Sequence, residues 1–455
     1  MQPFFAHYAT EGRPIPLDEL LAAREQRALL QQQCLTQYRQ TVLSVTQLAV
    51  GAVKKNALLD AIFAKCLENV TACLAELAVA PLAEFIRPLE TGNEAIFVLP
   101  IDAVRLKQAM IALEDSSPLA RLWDLDVIAP TSELLSRREL GFSPRPCLLC
   151  ADDAKLCARS RRHSADDIIA EMQQRLFAEQ IGEWVNRALL QEALLTPKPS
   201  LVDQANSGSH RDMDLASFQR SAAALRPFWA AFVRQGMATA AQDDLQILAK
   251  IRPLGLQAER AMLNATGEVN THKGAIFAFG LVCTALGRLW QQRATLSVAQ
   301  ICQQVAAFTQ GITAELQHYP THLPETAGVK LFRQFGLTGA RGEAESGFPL
   351  VQQLLPTFMN DLSASGDWDW AALRLLLQLM AHNQDTNVAH RGGLAGLQFV
   401  QQQAQQILAE NCKKSEFCDR LQQFDQACIA RNLSAGGSAD LLALSFFFYF
   451  LTSSL

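Results

Sequence analysis

Long apolar runs and a leader pattern are both missing from this sequence. The longest apolar stretches, residues 274–287 and 441–451, are shorter than the ~20 residues that a membrane-spanning helix needs, so we expect buried helices. The N-terminal segment MQPFFAHYATEGRP has no basic region followed by an apolar stretch, which argues against a signal peptide. The 11 cysteines form an odd, scattered set that suits reduced thiols better than a disulfide framework. These features predict a cytoplasmic protein that does not bind a membrane.

An excess of positive charge is missing as well. The chain has 40 Lys and Arg against 45 Asp and Glu, a net charge of −5, so its overall field does not favour nucleic acid. Any phosphate-binding site must therefore be a local arrangement of residues. With 49% hydrophobic and 19% charged residues, the composition is that of a globular protein. At 455 residues, the chain is long enough for two domains.

Two kinds of sequence pattern divide the chain near residue 175. Before about Cys157, helical and strand patterns alternate, which predicts an α+β domain over residues 1–175. After Ser164, which has the character of a helix cap, strand patterns disappear and helical patterns continue to the end. An all-α domain is therefore predicted over residues 176–455. The first prediction depends on a helix, a strand, a helix and a strand over residues 54–77, 94–99, 102–113 and 121–128.

Two acidic residues lie two positions apart in the second predicted strand, RLWDLDVI. Alternate side chains of a strand point to opposite faces, so Asp124 and Asp126 share one face. The residues beside them are apolar and point the other way, towards a core. Two carboxylates on one face can hold Mg²⁺, which prefers oxygen ligands and often bridges to a substrate phosphate. The alternative is a solvated strand face, which is the commoner meaning of an isolated pair.

Three cysteines and one histidine follow in the run PRPCLLCADDAKLCARSRRH. Cys147 and Cys150 form a C-x-x-C pair, and Cys157 and His163 complete four ligands of the type that zinc prefers. The spacing from Cys157 to His163 is not that of a familiar zinc finger. Reduced thiols that pack a small loop therefore stand as the alternative.

Basic residues in the same run could meet a polyanion. Arg159, Arg161 and Arg162 are close enough in sequence to bind a triphosphate or to dock an acidic protein. A solvated basic turn would have the same composition.

The order of these motifs gives the first domain a family likeness. RLWDLDVI, then PRPCLLC and RSRRH, is similar to the apo-citrate lyase phosphoribosyl-dephospho-coenzyme A transferase family over most of residues 1–175. The resemblance implies a nucleotidyltransferase-like domain with a metal on Asp124 and Asp126. It also implies that phosphoribosyl-dephospho-coenzyme A moves to a serine of the citrate lyase acyl carrier protein, the gamma subunit, while diphosphate leaves.

Polar residues gather in five loops of the second predicted domain. In SGSHRDMD, a helix that begins near Ser209 would place His210 and Asp214 on one face. With Asp212 beside them, these residues could bind a divalent ion or take part in acid–base chemistry. The alternative for Ser209 is an ordinary helix cap.

Two further loops lead into helices whose free N–H groups could bind phosphate. NTHKGAIF precedes and begins an apolar helix. In RNLSAGGSADLLA, Ser438 is the expected N-cap, and Asp440 lies in the first turn, where it could hold a metal. An ordinary capped helix is the alternative in both places. The candidate phosphate-binding residues of these loops are Asn270, His272, Lys273, Gly436, Gly437 and Ser438.

The remaining two loops contribute three acidic residues and one arginine. RGEAESGFP places Glu343 and Glu345 between glycines, which allow a ligand to come close. QDTNVAHRGG brings Asp385 and Arg391 together. We expect one of the two glutamates near a reacting carbon, Asp385 among the catalytic residues and Arg391 near phosphates.

Six motifs in a fixed order give the second domain its own family likeness. TPKPSLVD, SGSHRDMD, NTHKGAIF, RGEAESGFP, DTNVAHRGG and RNLSAGGSADLLA resemble the triphosphoribosyl-dephospho-coenzyme A synthase family over nearly all of residues 176–455. The resemblance implies an all-helical fold in which ATP gives its triphosphoribosyl unit to the 2′-hydroxyl of dephospho-coenzyme A and adenine leaves. Ser200 and Glu268 stand where the family pattern has glycine. If either glycine supplies a positive φ, the local geometry is in question.

The two resemblances together predict a bifunctional transferase that makes and attaches the prosthetic group of citrate lyase. Its expected partners are ATP, 3′-dephospho-coenzyme A and the acyl carrier protein, and its expected cofactor is Mg²⁺. Two alternatives stay open. A metal-dependent ADP-ribose-type glycosidase would use water as acceptor and give free ribose triphosphate. A zinc-stabilised scaffold that only binds the carrier protein would release no adenine from ATP.

Overall fold

The chain folds as two compact units, Met1–Glu179 and Gln180–Leu455. The long helix predicted after Ser164 runs over Ala165–Leu194. It begins as predicted, because the Ser164 hydroxyl accepts a hydrogen bond from the N–H of Asp167 at 3.0 Å. The first seven residues of the segment that lacks a leader pattern lie outside the described part of the chain. The computed structural model describes residues 8–150, 152–320, 325–410 and 413–454.

The first unit combines a small antiparallel sheet with helices, which confirms the α+β class. Its elements before the long helix are α1 (Leu17–Tyr38), β1 (Thr41–Gln47), α2 (Ala57–Glu76), β2 (Ala83–Leu89), β3 (Gly92–Leu99), α3 (Ala103–Glu114), β4 (Trp123–Ile128) and α4 (Ala154–Ser160). Neighbouring strands follow the order β2-β3-β1-β4. Of these elements, α2, β3, α3 and β4 match the four predicted patterns, while α1, β1, β2 and α4 were not predicted.

The two faces of this sheet are different. Leu125 and Val127 of β4 are fully buried on one face, where α2 and α3 pack. On the opposite face, α1 covers only part of the sheet, through a small core that includes Cys34. The register places Asp126 of β4 opposite Ser44 of β1, and Asp124 lies two positions further along the same face. The uncovered part of this face therefore carries both aspartates.

Helices alone form the second unit over the residues that the structure describes. The two apolar stretches of the sequence are largely buried here, in α8 and α17, as predicted. The long helix, α5 (Ala165–Leu194), begins in the first unit and ends in the second. The other helices of the second unit are α6 (Leu215–Ala238), α7 (Ile247–Thr266), α8 (Lys273–Gln291), α9 (Val298–Thr309), α10 (Ala314–Gln317), α11 (Ala327–Phe335), α12 (Gly339–Glu345), α13 (Pro349–Ser365), α14 (Trp368–His382), α15 (Thr386–Ala409), α16 (Lys414–Ala430) and α17 (Gly436–Ser454).

The apolar helix α8 packs tightly against α6. A Cβ atom on Gly287 would lie 1.9 Å from the carbonyl oxygen of Val233, and one on Gly236 would lie 2.1 Å from that of Thr284. Only glycine allows the two backbones to approach so closely. Of the described helices, α8 is the one long and apolar enough to cross a membrane, and 78% of its apolar window is buried inside the protein. This packing fixes the position of the α8 N-terminus.

Both departures from the family glycines occupy left-handed backbone. The φ angle is +71° at Ser200 and +67° at Glu268, a region that glycine adopts readily and other residues rarely. At Ser200 a hydrogen bond offsets part of the strain, because the hydroxyl oxygen accepts the backbone N–H of Ala435 at 3.0 Å. Both positions therefore have a backbone conformation that favours glycine.

Substitution of Glu268 measures this strain. We expect Glu268→Gly to be more stable than Glu268→Ala by about 1 kcal/mol, because a side chain in left-handed backbone costs about 1–2 kcal/mol and glycine's unfolded-state entropy returns only part of it. Urea unfolding of the full chain measures the difference. At the control position Gly255, inside α7 and with open space around it, the order should reverse, and alanine should be the more stable residue. Equal stabilities at position 268 would contradict the strain.

Candidate active sites

A cavity of about 1550 Å³ opens on the acidic face of the sheet in the first unit. Asp124 and Asp126 both line it. Ten basic and five acidic side chains form its charged wall, so the cavity favours a polyanion. The basic residues are Arg24, Arg27, Lys54, Lys107, Arg121, Arg137, Arg138, Arg145, Lys155 and Arg161.

The two aspartates of β4 repel each other. The side chain of Asp124 is 58% exposed, whereas Asp126 is half-buried. Burial raises the pKa of Asp126, the charge of Asp124 raises it further, and Lys107 and Arg27 act in the opposite direction. A divalent cation between the two carboxylates would replace this repulsion by attraction, so the pair fits Mg²⁺.

Three charged residues that the sequence analysis did not single out fix the strand between the aspartates. Glu114 accepts the N–H of Leu125 at 2.9 Å, and Lys107 donates to the carbonyl oxygen of Leu125 at 2.9 Å. The Arg145 guanidinium lies 3.5 Å from the Asp124 carboxylate and 3.6 Å from that of Glu114. Burial raises the pKa of Glu114, and Arg145 lowers it. The strand cannot shift without breaking this set of contacts.

The basic run at the end of α4 contributes only one of its three predicted arginines to the cavity. Arg161 lines the wall, while Arg159 is exposed outside it. Arg162, which follows α4, pairs instead with the exposed carboxylate of Asp152, which precedes that helix. The sequence placed the three together because it could not show which way each residue points at the end of a short helix.

The four candidate zinc ligands converge. The ligand atoms of Cys147, Cys150, Cys157 and His163 all lie within 4.8 Å of one another. The Cys150 sulfur is 3.5 Å from the Cys157 sulfur and 3.4 Å from His163 Nε2. Within the described part of the chain, no other group of three or more His, Cys, Asp or Glu has this geometry.

A smaller cavity, of about 300 Å³, lies in the second unit where three long helices begin. N–H groups at a helix start have no partner within the helix and carry partial positive charge. Three such starts around one cavity favour an anion. The first two residues of α8, α15 and α17 on the wall are Lys273, Gly274, Thr386, Asn387, Gly436 and Gly437.

Asp385 joins two of these helix starts. As the N-cap of α15, it accepts the N–H of Asn387 through Oδ1 at 2.9 Å. Through Oδ2 it accepts the N–H of Ser438 at 2.7 Å and its hydroxyl at 2.9 Å, in the first turn of α17. A Cβ on Gly437 would lie 3.1 Å from Oδ1. Burial raises the pKa of Asp385, and the bonds from Ser438 act against this shift. Both oxygens are therefore engaged in holding the helices together.

Asp440 occupies the start of α8. Its carboxylate accepts the N–H of Ala275, and a Cβ on Gly274 would lie 2.0 Å from its Oδ2, which explains the glycine there. Burial raises the pKa of Asp440 well above its usual range, and the charges of Glu192 and Asp385 raise it further. An internal carboxylate thus occupies part of the helix end that the sequence suggested for phosphate.

A buried ion pair that the sequence analysis missed lies beside Asp440. Lys198 is 2% exposed, and its ammonium donates to the carboxylate of Glu192 at 2.5 Å and to the Glu192 carbonyl oxygen at 2.6 Å. Glu192 lines the cavity. Lys198 belongs to the TPKPS motif, where a lysine between two prolines was the available signal.

Three polar atoms on the cavity wall are buried without a hydrogen-bond partner: Oγ1 of Thr271, Nε2 of His272 and Oε2 of Glu343. The other ring nitrogen of His272 lies 2.7 Å from the hydroxyl of Ser221, which fixes the ring. Burial, and then the charge of Lys198, lower the pKa of His272 to about 3, so the ring is neutral at pH 7. Burial raises the pKa of Glu343, and a bond from the N–H of Leu350 opposes that. The partnerless atoms of His272 and Glu343 are suited to a ligand.

Arg391 and His210, from distant parts of the sequence, also meet at this cavity. Arg391 donates to the carbonyl oxygen of Ser209 at 2.8 Å and lies 3.2 Å from His210 Nδ1. The second ring nitrogen of His210 is 2.8 Å from the hydroxyl of Ser434. Burial, and then Arg391, lower the pKa of His210. Arg391 thus remains a candidate for contact with phosphate.

The three candidate metal ligands of the second unit, Asp212, Asp214 and Asp440, do not all lie at the cavity. Helix α6 begins at Leu215 rather than near Ser209, because Asp214 caps it by accepting the N–H of the third helical residue at 2.8 Å. Asp212 is 64% exposed and lies outside the cavity wall. Of the three, only Asp440 lines the cavity.

The two glutamates of RGEAESGFP are separated, because this segment forms the short helix α12 rather than a loop. Glu343 faces the cavity. Glu345 lies at the end of the helix, where its carboxylate binds the N–H of Gly311 and the hydroxyl of Thr313. The geometry therefore favours Glu343 over Glu345.

Two further residues differ from their predicted surroundings. Ser438 is the third residue of α17 rather than its N-cap, since the helix begins at Gly436. Lys273 begins α8 and lines the cavity, but its ammonium pairs with Glu259 of α7. Because such an exposed pair is worth little, a phosphate could displace it. The role of Lys273, like that of Asn270 beside it, stays a prediction.

Removal of the Asp385 carboxylate tests its structural role. We expect Asp385→Ala to destabilise the protein by about 2–4 kcal/mol, because it leaves buried N–H groups at two helix starts without partners. The control Ser297→Ala removes a cap from one helix only and should cost about 1 kcal/mol. Urea unfolding of both full-length variants measures the difference. Equal costs would contradict the double cap.

Comparison with known proteins assigns both units. Family models match residues 178–455, as CitG, ATP:dephospho-CoA triphosphoribosyl transferase, and residues 15–178, as CitX, apo-citrate lyase phosphoribosyl-dephospho-CoA transferase. "Protein CitXG" of Haemophilus influenzae is 56% identical over 98% of this chain and 99% of its own length. The 2-(5''-triphosphoribosyl)-3'-dephosphocoenzyme-A synthases of Haemophilus ducreyi and Klebsiella pneumoniae are 54% and 48% identical, over 66% and 60% of this chain and 98% and 91% of their own lengths. The chain therefore belongs to the CitXG family, which joins two transferases that serve the prosthetic group of citrate lyase.

Proposed function

We propose that the second unit transfers the triphosphoribosyl unit of ATP to the 2′-hydroxyl of 3′-dephospho-coenzyme A and releases adenine. The observation that carries this proposal is the cavity where three long helices begin and where His272 and Glu343 each offer an atom without a protein partner. Helix starts favour the phosphates of ATP. The match to the triphosphoribosyl transferase family supports the reaction class.

The bond changes define what the residues must do. The bond from C1′ of the ribose to adenine breaks, and a bond from C1′ to the 2′-oxygen of the acceptor forms, while the triphosphate stays whole. The proton that the 2′-hydroxyl loses balances the proton that adenine gains. Positive charge develops at C1′, and adenine leaves more easily if it gains a proton. Glu343 is suited to this place, because its Oε2 lacks a protein partner and burial raises its pKa, the direction that favours proton donation to adenine. His272, with a pKa of about 3, is a poor base at neutral pH and instead binds substrate through Nε2.

Charge in the second cavity supports a bound divalent cation. Asp440 lies near Glu192 and Asp385, and each of the two raises the pKa of Asp440. Mg²⁺ would offset this repulsion and neutralise the triphosphate. Asp440 is the residue that we propose as its ligand, with Lys273 and Arg391 on the phosphates.

We propose that the first unit is a nucleotidyltransferase-like domain that attaches this product to the citrate lyase acyl carrier protein. A serine hydroxyl of the carrier attacks the phosphorus nearest the ribose, the bond to the next bridging oxygen breaks, and diphosphate leaves. The large basic cavity is suited to such a donor, with Arg145 and Arg161 near the leaving phosphates. Mg²⁺ on Asp124 and Asp126 would stabilise the charge that develops there.

We place this chemistry in the cytoplasm. The ten described cysteines are all free thiols, the state that a reducing compartment maintains.

One incubation separates the proposed reaction from its rivals. The full chain is mixed with ATP, Mg²⁺ and 3′-dephospho-coenzyme A, and the products are identified by mass spectrometry. We expect adenine and a triphosphoribosyl adduct in equal amounts. Free ribose triphosphate with adenine would indicate a glycosidase, and absence of adenine would indicate a scaffold.

The two glutamates of α12 form a matched pair for testing the second site. We expect Glu343→Gln to slow adenine release by about 10²–10⁴-fold, because the amide cannot deliver a proton. Glu345→Gln should stay close to the unaltered protein, because its carboxylate binds the turn at Gly311 instead of lining the cavity. Melting curves show whether both variants fold. If Glu345→Gln were the inactive member, the assignment would be reversed.

The acidic pair of β4 can be tested by its effect on one activity only. We expect Asp126→Asn to abolish loading of the carrier protein, because a neutral amide holds Mg²⁺ poorly. Adenine release should persist, because it depends on the second unit. Glu84→Gln, an exposed acid on β2, serves as the control and should load normally. Loss of both activities in Asp126→Asn would contradict the division of labour.

A further inference from the structure

The segment that carries the three cysteines and His163 has almost no apolar core of its own. Among the described residues from 141 to 164, only Cys157 is buried. Leu149 and Leu156 are 37% and 63% exposed. A loop held together by packing would bury its leucines. Packing of reduced thiols therefore does not explain the position of this segment.

The backbone brings the four ligands together from two directions. The N–H of Cys147 donates to the carbonyl oxygen of Asp152 at 2.7 Å, which closes a turn around Cys150. Asp153 then caps α4 and accepts the N–H of Lys155 at 2.7 Å. Cys157 lies in α4, above the turn, and His163 follows the end of that helix. The turn, α4 and the residues that follow it thus supply all four ligands, and all of them belong to the first unit.

The distances between the ligand atoms are close to those around a tetrahedral zinc ion. With Zn–S of ~2.3 Å and Zn–N of ~2.0–2.1 Å, ligand atoms around zinc are separated by roughly 3.5–3.8 Å. The Cys150 sulfur lies 3.5 Å from that of Cys157 and 3.4 Å from His163 Nε2, and all four ligand atoms lie within 4.8 Å of one another. Small side-chain rotations would complete the tetrahedron.

We propose that Cys147, Cys150, Cys157 and His163 bind one zinc ion as a structural site. On binding, each thiol that is still protonated releases its proton, and the imidazole binds as the neutral ring. Four protein ligands leave no position for water, so the ion does not take part in transfer chemistry.

We expect bound zinc to keep two arginines in position at the first cavity. Arg145 and Arg161 lie in the same segment, and both line the first cavity. Arg145 also lies 3.5 Å from Asp124. Since packing gives this segment little support, removal of zinc should release these arginines and impair carrier loading.

Metal analysis of the purified full chain tests the site directly. We expect one zinc per chain after expression in zinc-supplemented medium and dialysis. Cys150→Ser should weaken zinc binding by more than about a hundredfold, because loss of a supporting partner alone typically costs about 10- to 100-fold. Cys73→Ser, which alters a half-buried thiol on α2, should keep its zinc.

Cobalt provides a second measurement that needs no variant. Co²⁺ added to chelator-treated protein should give the visible absorption of a tetrahedral, thiolate-bound ion, and zinc should abolish it. Protein stripped of zinc, freed of chelator and supplied with Mg²⁺ should show a lower melting temperature for the first unit and reduced carrier loading, while adenine release continues. Zinc-free protein with unchanged melting and no cobalt spectrum would overturn the proposal, as would full zinc retention by Cys150→Ser.

Discussion

The second active site depends on one carboxylate, that of Asp385, which caps α15 and α17 at the same time. Helix starts leave N–H groups without partners, and burying them costs free energy unless an acceptor is supplied. Because a single side chain serves two helices, their N-termini must lie side by side. The wall of the cavity is therefore fixed by the same bonds that stabilise the helices, and a residue predicted as catalytic gains a structural reason to be there.

Carboxylates and helix starts alternate around this cavity. The Asp440 carboxylate accepts a hydrogen bond from the N–H of Ala275 at the start of α8. The Glu343 carboxylate accepts one from the N–H of Leu350 near the start of α13. Each acid accepts a backbone N–H, yet burial raises its pKa, which favours a proton or a cation beside it. ATP with Mg²⁺ brings both signs of charge into such a site. The arrangement thus suits a reaction in which the phosphates are held but left intact.

Helices and strands with a clear apolar period were predicted better from the sequence than contacts between side chains were. The alternation in RLWDLDVI placed Asp124 and Asp126 on one face, and the apolar run of α8 indicated a buried helix, because both patterns are local. Helix α1 was missed, because only Cys34 and Leu35 are buried along its length and no apolar stripe marks it. The partners of Asp385 and the pair of Arg145 with Asp124 depend on contacts between distant segments. Spacing along one chain does not encode such contacts.

The two sites reach rigidity in different ways. In the second unit, long helices are closely packed, as at Gly287 against Val233, and side-chain caps finish their ends. In the first unit, hydrogen bonds on both sides of Leu125 hold the acidic strand, but the segment with Arg145 has few buried residues. Such a segment must be held by something other than apolar packing if its arginines are to keep their distance from Asp124. Hydrogen bonds from Arg145 to the carbonyl oxygens of Arg121 and Trp123 supply part of this constraint, and the proposed zinc site would supply the rest.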